Sequence, residues 1–136
     1  MYQVIMIPID LAHAEKSGKM LDLAKILGGK GTRFTLINVI EDIPNFVAVE
    51  LPEGMIKQMK TNATTELEGI AKAAGIRAEV KVRSGRPATA ILDAAEDTDT
   101  DLIIIASHRP GLQDYLLGST AARVVRHAKC SVLVTR

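Results

Sequence analysis

Two short segments of this chain are apolar on both faces, and they constrain its fold more than any other feature. The first, Val4–Ile7, is ended by Pro8, and the second lies within Asp101–Ala106. A continuous apolar run of this length is typical of a central strand in a parallel sheet that helices cover on both sides. We therefore predict an α/β fold with these two segments at its centre.

Further strand and helix patterns alternate along the rest of the chain. Phe34–Ile40 and the run Cys130–Arg136 predict two more strands, and Ala78–Arg83 alternates as a strand at or near a sheet edge does. The spacing of apolar residues predicts helices over Ala14–Leu27, Glu53–Ala74, Ala88–Ala95 and from Ser119 to His127. Together these elements predict a doubly wound open sheet of five parallel strands, in the order 3-2-1-4-5, with helices on both faces.

Glycines and prolines mark the connections. We predict that Gly28-Gly29 ends the first helix in left-handed conformations and that Gly75 ends the second. Glu41–Pro52 holds two prolines and no helical period, so it is predicted to be a loop. This loop is the candidate for a mobile flap.

Composition limits the partners that the chain can bind. Its 136 residues predict one domain, 1–136, and apolar residues make up 47% of it while aromatic residues make up 3%. So few aromatics provide no platform for stacking single-stranded bases. Because 17 basic and 16 acidic residues give a net charge of only +1, no nucleic-acid partner is expected, whereas a compact anion at a local site is compatible.

The remaining global features favour the cytoplasm. Cys130 has no second cysteine with which to form an intramolecular disulfide, and we expect it to be a buried thiol. The apolar stretch Val4–Ile9 is too short for a membrane span and is followed at once by Asp10, so neither a membrane nor a signal peptide is predicted.

Ligands of doubly wound sheets bind where the winding direction reverses, at the carboxyl ends of the strands. Here that places Pro8-Ile9-Asp10 opposite Ala106-Ser107-His108-Arg109. Asp10 has two interpretations at this point. It caps the helix that follows, or it binds a ribose hydroxyl, an adenine edge or a hydrated metal ion.

Gly118-Ser119-Thr120 begins the last predicted helix. Unpaired N–H groups and the helix dipole favour an anion there, and the two hydroxyls add hydrogen bonds, although serine and threonine are equally ordinary helix caps. Arg109 carries a fork of donors that suits a phosphate, unless it and His108 simply face solvent. A nucleotide is therefore the first ligand to consider.

Several enzyme classes lack their motifs. There is no Walker A sequence and no Gly-x-Gly-x-x-Gly after the first strand, and no nucleophile elbow supports a catalytic triad. The acidic residues between Glu96 and Asp101 are interpreted as a solvated turn rather than a metal site.

These motifs resemble those of the universal stress protein family, whose members have an adenine-nucleotide-binding, Rossmann-like α/β fold. The resemblance covers the whole chain, from Pro8-Ile9-Asp10 through Asn38–Glu41 and Ser84–Pro87 to the terminal block. Within the family, Ile104–Pro110 and Tyr115–Ser119 are most similar to the F- and G-type subgroup.

The chain departs from the family's ATP-binding pattern, G-x2-G-x9-G-[ST]. Ala106 replaces the first glycine, Arg109 replaces the second, and eight residues rather than nine precede Gly118. Either the pocket has lost its nucleotide, or Arg109 supplies a charged fork in place of backbone donors, as the similarity to the F-type subgroup implies. We expect binding to be retained, because Asp10, Val39 and Gly118-Ser119 are all present.

The resemblance implies a role for each site residue. Adenine and ribose would be held by Pro8, Ile9, Asp10 and the backbone of Val39, and ribose and phosphates would be surrounded by Ala106, Ser107, His108, Arg109, Gly118, Ser119 and Thr120. Mg²⁺ would bind through the phosphates. The family also implies a homodimer formed through the terminal strand 131–135, and leaves open whether two dimers join into a tetramer.

We expect an ATP-binding stress-response regulator whose nucleotide state biases its oligomer or its contacts with an unknown protein partner. No residue is clearly placed as a catalytic base, so a dedicated enzyme is not expected, although slow ATP hydrolysis is compatible. One alternative is a nucleotide-free dimeric interaction module. Another is an enzyme that cleaves ATP between its α and β phosphates, but Asp10–His13 lacks the Ser-Gly-Gly-like loop of such enzymes.

Overall fold

A single parallel sheet organises the computed structural model, which describes residues 1–41, 51–107 and 117–136. Its strands are β1 (Val4–Pro8), β2 (Arg33–Glu41), β3 (Ala78–Gly85), β4 (Leu102–Ala106) and β5 (Ser131–Thr135). The helices are α1 (Ser17–Leu27), α2 (Met55–Ala74), α3 (Pro87–Asp97) and α4 (Ser119–His127), with a 3₁₀ helix at Leu11–Lys16. The strand order, β3-β2-β1-β4-β5, confirms the predicted topology and places β3 at an edge.

Alternate residues of the central strands belong to two separate hydrophobic cores, one on each face of the sheet. Ile5 and Ile7 of β1 point to one face, where they pack with residues of α1 and α2 such as Met20 and Leu67. Met6 points to the other face, where residues of α3 and α4 such as Ile91 and Val124 cover it. The prediction of helices on both faces is therefore confirmed, and the two-sided apolar runs are explained by it.

The central strands are joined at their amino ends and part toward their carboxyl ends. Pairing of β1 with β4 covers Ile5–Leu102 and Met6–Ile103, whereas pairing of β1 with β2 continues to Pro8–Ile37. Asp101, just before β4, accepts hydrogen bonds from the backbone N–H groups of Gln3 at 2.8 Å and Val4 at 2.9 Å. The strands therefore part beyond the carboxyl ends of β1 and β4, which is where a doubly wound sheet leaves space for a ligand.

Two local predictions were wrong in detail. The helix predicted from Ala14 begins at Ser17, because residues 11–16 form the 3₁₀ helix, with non-helical dihedral angles at His13. The first helix does end at Leu27, but neither Gly28 nor Gly29 has a positive φ. Gly28 is extended, and what it supplies is space, since a Cβ there would lie 2.9 Å from Cζ of Phe34.

Gly75 does adopt the left-handed conformation predicted for it, with φ 71°, and ends α2. Of the predicted loop at Glu41–Pro52, residues 42–50 lie outside the described residues. Across the described ranges, no helix has the length and apolar character that a membrane crossing requires.

Candidate functional site

A cleft of about 240 Å³ lies at the carboxyl ends of β1, β2 and β4. Most of the residues predicted for the site line it, namely Pro8, Ile9, Asp10, Val39, Ala106, Gly118, Ser119 and Thr120. Two other predicted residues, His108 and Arg109, lie outside the described residues. The fold thus brings together segments that end or follow three different strands, as the winding of the sheet predicts.

Hydrogen bonds hold the segment that leaves β1 in place. The N–H of Ile9 donates to the carbonyl oxygen of Ile37 at 2.8 Å, and Nδ2 of Asn38 donates to the carbonyl oxygen of Ile9 at 2.9 Å. Asp10 accepts from the N–H of Ala12 through Oδ1 at 3.0 Å. The capping role predicted as one alternative for Asp10 is therefore present, and its side chain is also exposed at the cleft.

Ser107 supports the cleft from behind and is not one of its lining residues. Its Oγ accepts a hydrogen bond from the N–H of Gly118 at 3.1 Å, and its own N–H donates to the carbonyl oxygen of Thr135 at 2.8 Å. Because these bonds join the end of β4 to both α4 and β5, Ser107 fixes the position at which α4 begins.

The first turn of α4 faces the cleft without a side-chain cap. Its N-cap residue is Gly118, and no side-chain hydrogen bond satisfies the first N–H groups of this helix in the described ranges. Ser119 occupies the first helical position, and the side chains of Ser119 and Thr120 line the cleft. The capping interpretation of these hydroxyls is therefore not supported, and the uncapped turn can bind an anion.

The sequence alone missed a row of lining residues on the segment after β1. His13, Lys16, Ser17 and Met20 line the cleft, and they follow the predicted Asp10 at intervals of three residues or one. The additional lining set is completed by Ile37, Asn38, Glu41, Pro87, Ile91, Ile105 and Ala121. The spacing of these residues gave no simple signal, because the 3₁₀ helix is interrupted by non-helical dihedral angles at His13.

The Cys130 thiol lies away from the cleft and has a shifted pKa. Burial raises the pKa of the Cys130 thiol, and the negative charge of Asp101 adds to this effect. Cys130 is half-buried, so the expectation of a buried thiol holds only in part. Within the described ranges, no group of three or more His, Cys, Asp or Glu side chains is placed to hold a metal ion.

Comparison with known proteins identifies relatives along the full length of the chain. The sequence model described as "Universal stress protein family" matches residues 1–136. Universal stress protein G of Salmonella typhimurium is 29% identical over 145 residues, which cover 100% of both chains. The matched region therefore includes every element of the sheet and the whole cleft.

Solved structures share the same fold. The hypothetical protein MJ0577 matches with a TM-score of 0.78 and 28% identity, covering 99% of this chain and 96% of that one. A universal stress protein in complex with cAMP matches with a TM-score of 0.72 and 21% identity, covering 99% and 97%. One from Archaeoglobus fulgidus in complex with dAMP has a TM-score of 0.64 and 17% identity, covering 99% and 98%.

Proposed function

The chain belongs to the universal stress protein family, and we propose that it binds ATP in the cleft and acts as a stress-response regulator in the cytoplasm. The observation that carries this proposal is the meeting of Asp10, Val39 and the uncapped start of α4 around one cleft. Two proteins of the same fold are described in complex with cAMP and dAMP, which are adenine nucleotides. The cleft is thus suited in position and chemistry to an adenine nucleotide.

We assign the nucleoside to the β1 and β2 side of the cleft. Asn38 and the backbone of Ile37 fix Ile9, so the exposed carboxylate of Asp10 stands at a defined place for a ribose hydroxyl or the adenine edge. Pro8, Ile9 and the backbone of Val39 provide the adjoining surface for the base. Acceptors and apolar surface together match the chemistry of adenosine.

We assign the ribose and phosphates to the α4 side. Ala106 and the segment Gly118–Thr120 line the cleft there, and Ser107 holds Gly118 in place. Unpaired N–H groups at the start of α4 favour a phosphate, and His108 and Arg109 complete the proposed set. Mg²⁺ is proposed to enter with the phosphates, whose oxygens suit this hard cation.

The nucleotide state is proposed to bias an oligomer or the contacts with a protein partner, rather than to drive rapid catalysis. The proposed homodimer forms through β5, and whether two such dimers join into a tetramer is left open. In the described ranges β5 pairs only with β4, and its residues Val132, Leu133 and Val134 are half-buried. An edge strand with apolar residues of this kind readily pairs with a second chain.

Calorimetric titration of the nucleotide-stripped protein with ATP and Mg²⁺ tests the binding. We expect heat of binding and a rise in melting temperature with ATP, because a ligand that binds only the folded state stabilises it. GTP at the same concentration is the control for the base. The absence of both heat and thermal shift in a folded sample rejects the proposal.

A nucleotide-free dimeric module is the second candidate, and the half-buried apolar edge of β5 favours it. Substituting Val132 with Asp places a charge at the proposed contact, so the protein is expected to become monomeric. Light scattering after size exclusion measures the mass, with Thr89→Asp on exposed α3 surface as the control. An unchanged mass for Val132→Asp rejects this interface.

A further inference from the structure

Residues of β2 turn their backbone groups alternately toward β1 and toward β3. The N–H of Arg33 donates to the carbonyl oxygen of Gln3 at 2.9 Å, and the carbonyl oxygen of Ile37 accepts from the N–H of Ile9 at 2.8 Å. Arg33 and Ile37 therefore face β1, and so does Val39, two residues further along. In a regular parallel ladder the next bond would run from the N–H of Val39 to the carbonyl oxygen of Ile9.

The side chain of Asn38 takes the place of that bond. Its Nδ2 donates to the carbonyl oxygen of Ile9 at 2.9 Å. Among the backbone hydrogen bonds of the described ranges, none joins Val39 to Ile9. The register of β1 with β2 accordingly ends at Pro8–Ile37, whereas the pairing of β2 with β3 continues beyond this point. A side-chain amide thus satisfies the carbonyl that would otherwise extend the ladder.

The early end of the ladder leaves backbone groups of Val39 at the cleft, which this residue lines. Its N–H and its carbonyl oxygen face the side from which β1 has departed, and they offer one donor beside one acceptor. Adenine presents the complementary pair, with N1 as the acceptor and the 6-amino group as the donor. Guanine has these roles exchanged, because its N1 carries a proton and its O6 accepts.

The position of Ile9 in the core makes its carbonyl oxygen need a partner. Ile9 is 3% exposed and belongs to the same core cluster as Ile7 and Leu36. A carbonyl in such surroundings is costly to leave unpaired. If the amide of Asn38 is removed, the N–H of Val39 is the donor that regular ladder geometry supplies. The bond from Asn38 and the bond from Val39 are therefore alternatives.

We propose that Asn38 is a positioning residue for the base of the nucleotide: by occupying the carbonyl oxygen of Ile9, it keeps the N–H and carbonyl groups of Val39 open to an adenine edge. This inference rests on the proposed function and deepens it, because it names the side chain that prepares the backbone for the base. Without the Asn38 amide, the pairing of β1 with β2 extends by one bond and closes that backbone to the ligand.

Amide hydrogen exchange of the full nucleotide-stripped chain, followed by NMR, tests the ladder directly. In the wild type we expect the N–H of Val39 to exchange about tenfold faster than that of Ile37, and added ATP to slow it. Asn38→Leu has nearly the same shape but no donor, so it should slow exchange at Val39 about tenfold without ATP. Asn38→Asp also lacks the donor and should do the same, which separates the effect from the change to an apolar side chain.

Calorimetry on the same variants measures the effect on binding. Closing the Val39 backbone removes two neutral hydrogen bonds to the base, so ATP should bind about tenfold more weakly to Asn38→Leu. Asn62→Asp in α2 is the matched control. Oδ1 of Asn62 accepts from Nε2 of Gln58 at 2.8 Å at an exposed position, and an aspartate keeps that bond. This control should change neither the exchange at Val39 nor the ATP affinity.

The outcomes separate this inference from the proposed function. If exchange at Val39 is unchanged in both Asn38 variants, or becomes faster together with that at Ile37, Asn38 is a structural residue only and the inference is rejected. Weaker ATP binding without slower exchange at Val39 also rejects it, because the loss then comes from displacement of Ile9. Slower exchange with unchanged ATP affinity rejects it as well, since the base then does not use Val39. If the wild type binds no ATP, the proposed function fails, whereas the exchange still shows whether Asn38 ends the ladder.

Discussion

The two ends of the sheet are built differently, although the same five strands form both. At the amino end, Asp101 accepts two backbone hydrogen bonds from Gln3 and Val4, and Thr32 Oγ1 donates to the carbonyl oxygen of Tyr2 at 2.9 Å. At the carboxyl end, the first turn of α4 has no side-chain cap and faces a cleft. The polar groups named at the first end are bonded within the chain, whereas the first N–H groups of α4 at the second end are available to a ligand.

This difference indicates a division of roles within one small domain. Substitutions at the amino end should lower stability without altering the cleft. Substitutions at the carboxyl end should weaken ligand binding more than they lower stability. Four substitutions test this division.

Asp101→Ala is expected to have the largest effect. It leaves the N–H groups of Gln3 and Val4 without the carboxylate that they bond at 2.8 and 2.9 Å. Losing two hydrogen bonds to a charged group should lower the free energy of unfolding by about 2–4 kcal/mol. Urea denaturation measures this, and exposed Asp93→Ala is the control. An unchanged urea midpoint for Asp101→Ala would contradict the role assigned to the amino end.

Gly28→Ala is expected to have the next largest effect. The new Cβ would lie 2.9 Å from Cζ of Phe34 and 3.0 Å from the carbonyl oxygen of Ala24, so one of them has to move. Overpacking of this kind costs about 1–3 kcal/mol in unfolding free energy. Gly18→Ala in α1 is the matched control and should stabilise by about 0.5–1 kcal/mol, because a Cβ there meets nothing within 4 Å.

Gly28 also shows how far the sequence could predict this fold. The end of the first helix at Leu27 was predictable, because glycine ends helices whether it contributes conformational freedom or space. The reason for glycine was not predictable, since it depends on Phe34 in the next strand. By contrast, the strand order followed from the two-sided apolar runs, which admit few topologies.

Site residues whose position follows from the sheet topology could be predicted from the sequence. Site residues whose position depends on local backbone geometry could not. Asp10 and Gly118 meet because the carboxyl ends of neighbouring strands must meet. His13 and Lys16 were missed because Ala14–Lys16 fits an α-helical pattern as well as a 3₁₀ pattern, and the side chains that line a cleft differ between the two. The hydrogen bond from the N–H of Gly118 to Oγ of Ser107 was also missed. It joins residues that are 11 positions apart, on either side of the connection between β4 and α4.

Ser107→Ala tests the carboxyl end. The substitution removes the oxygen that accepts from the N–H of Gly118 at 3.1 Å, so unfolding free energy should fall by about 1 kcal/mol. The start of α4 also loses the hydrogen bond that positions it. ATP affinity should therefore fall several-fold, although the protein stays folded. Calorimetry measures the ATP affinity and urea denaturation measures the stability. The control variant is Ser84→Ala, at an exposed position. A loss of stability with unchanged affinity would show that Ser107 does not position α4 for binding.

Glu96→Gln is expected to have the smallest effect and shows which contacts of the amino end matter. Glu96 at the end of α3 pairs with Lys129 at 2.6 Å, the shortest ion pair in the described ranges. The hydrogen bond and the charge of Glu96 raise the pKa of Lys129 by favouring its protonated form, so Glu96→Gln should lower that pKa toward its ordinary value. NMR titration of the Lys129 side chain measures the change. The urea midpoint should not move, because an ion pair in full contact with water is weakened by solvent and by the entropy of two long side chains. If the midpoint falls as it does for Asp101→Ala, surface charge pairs rather than satisfied backbone groups stabilise this end of the sheet.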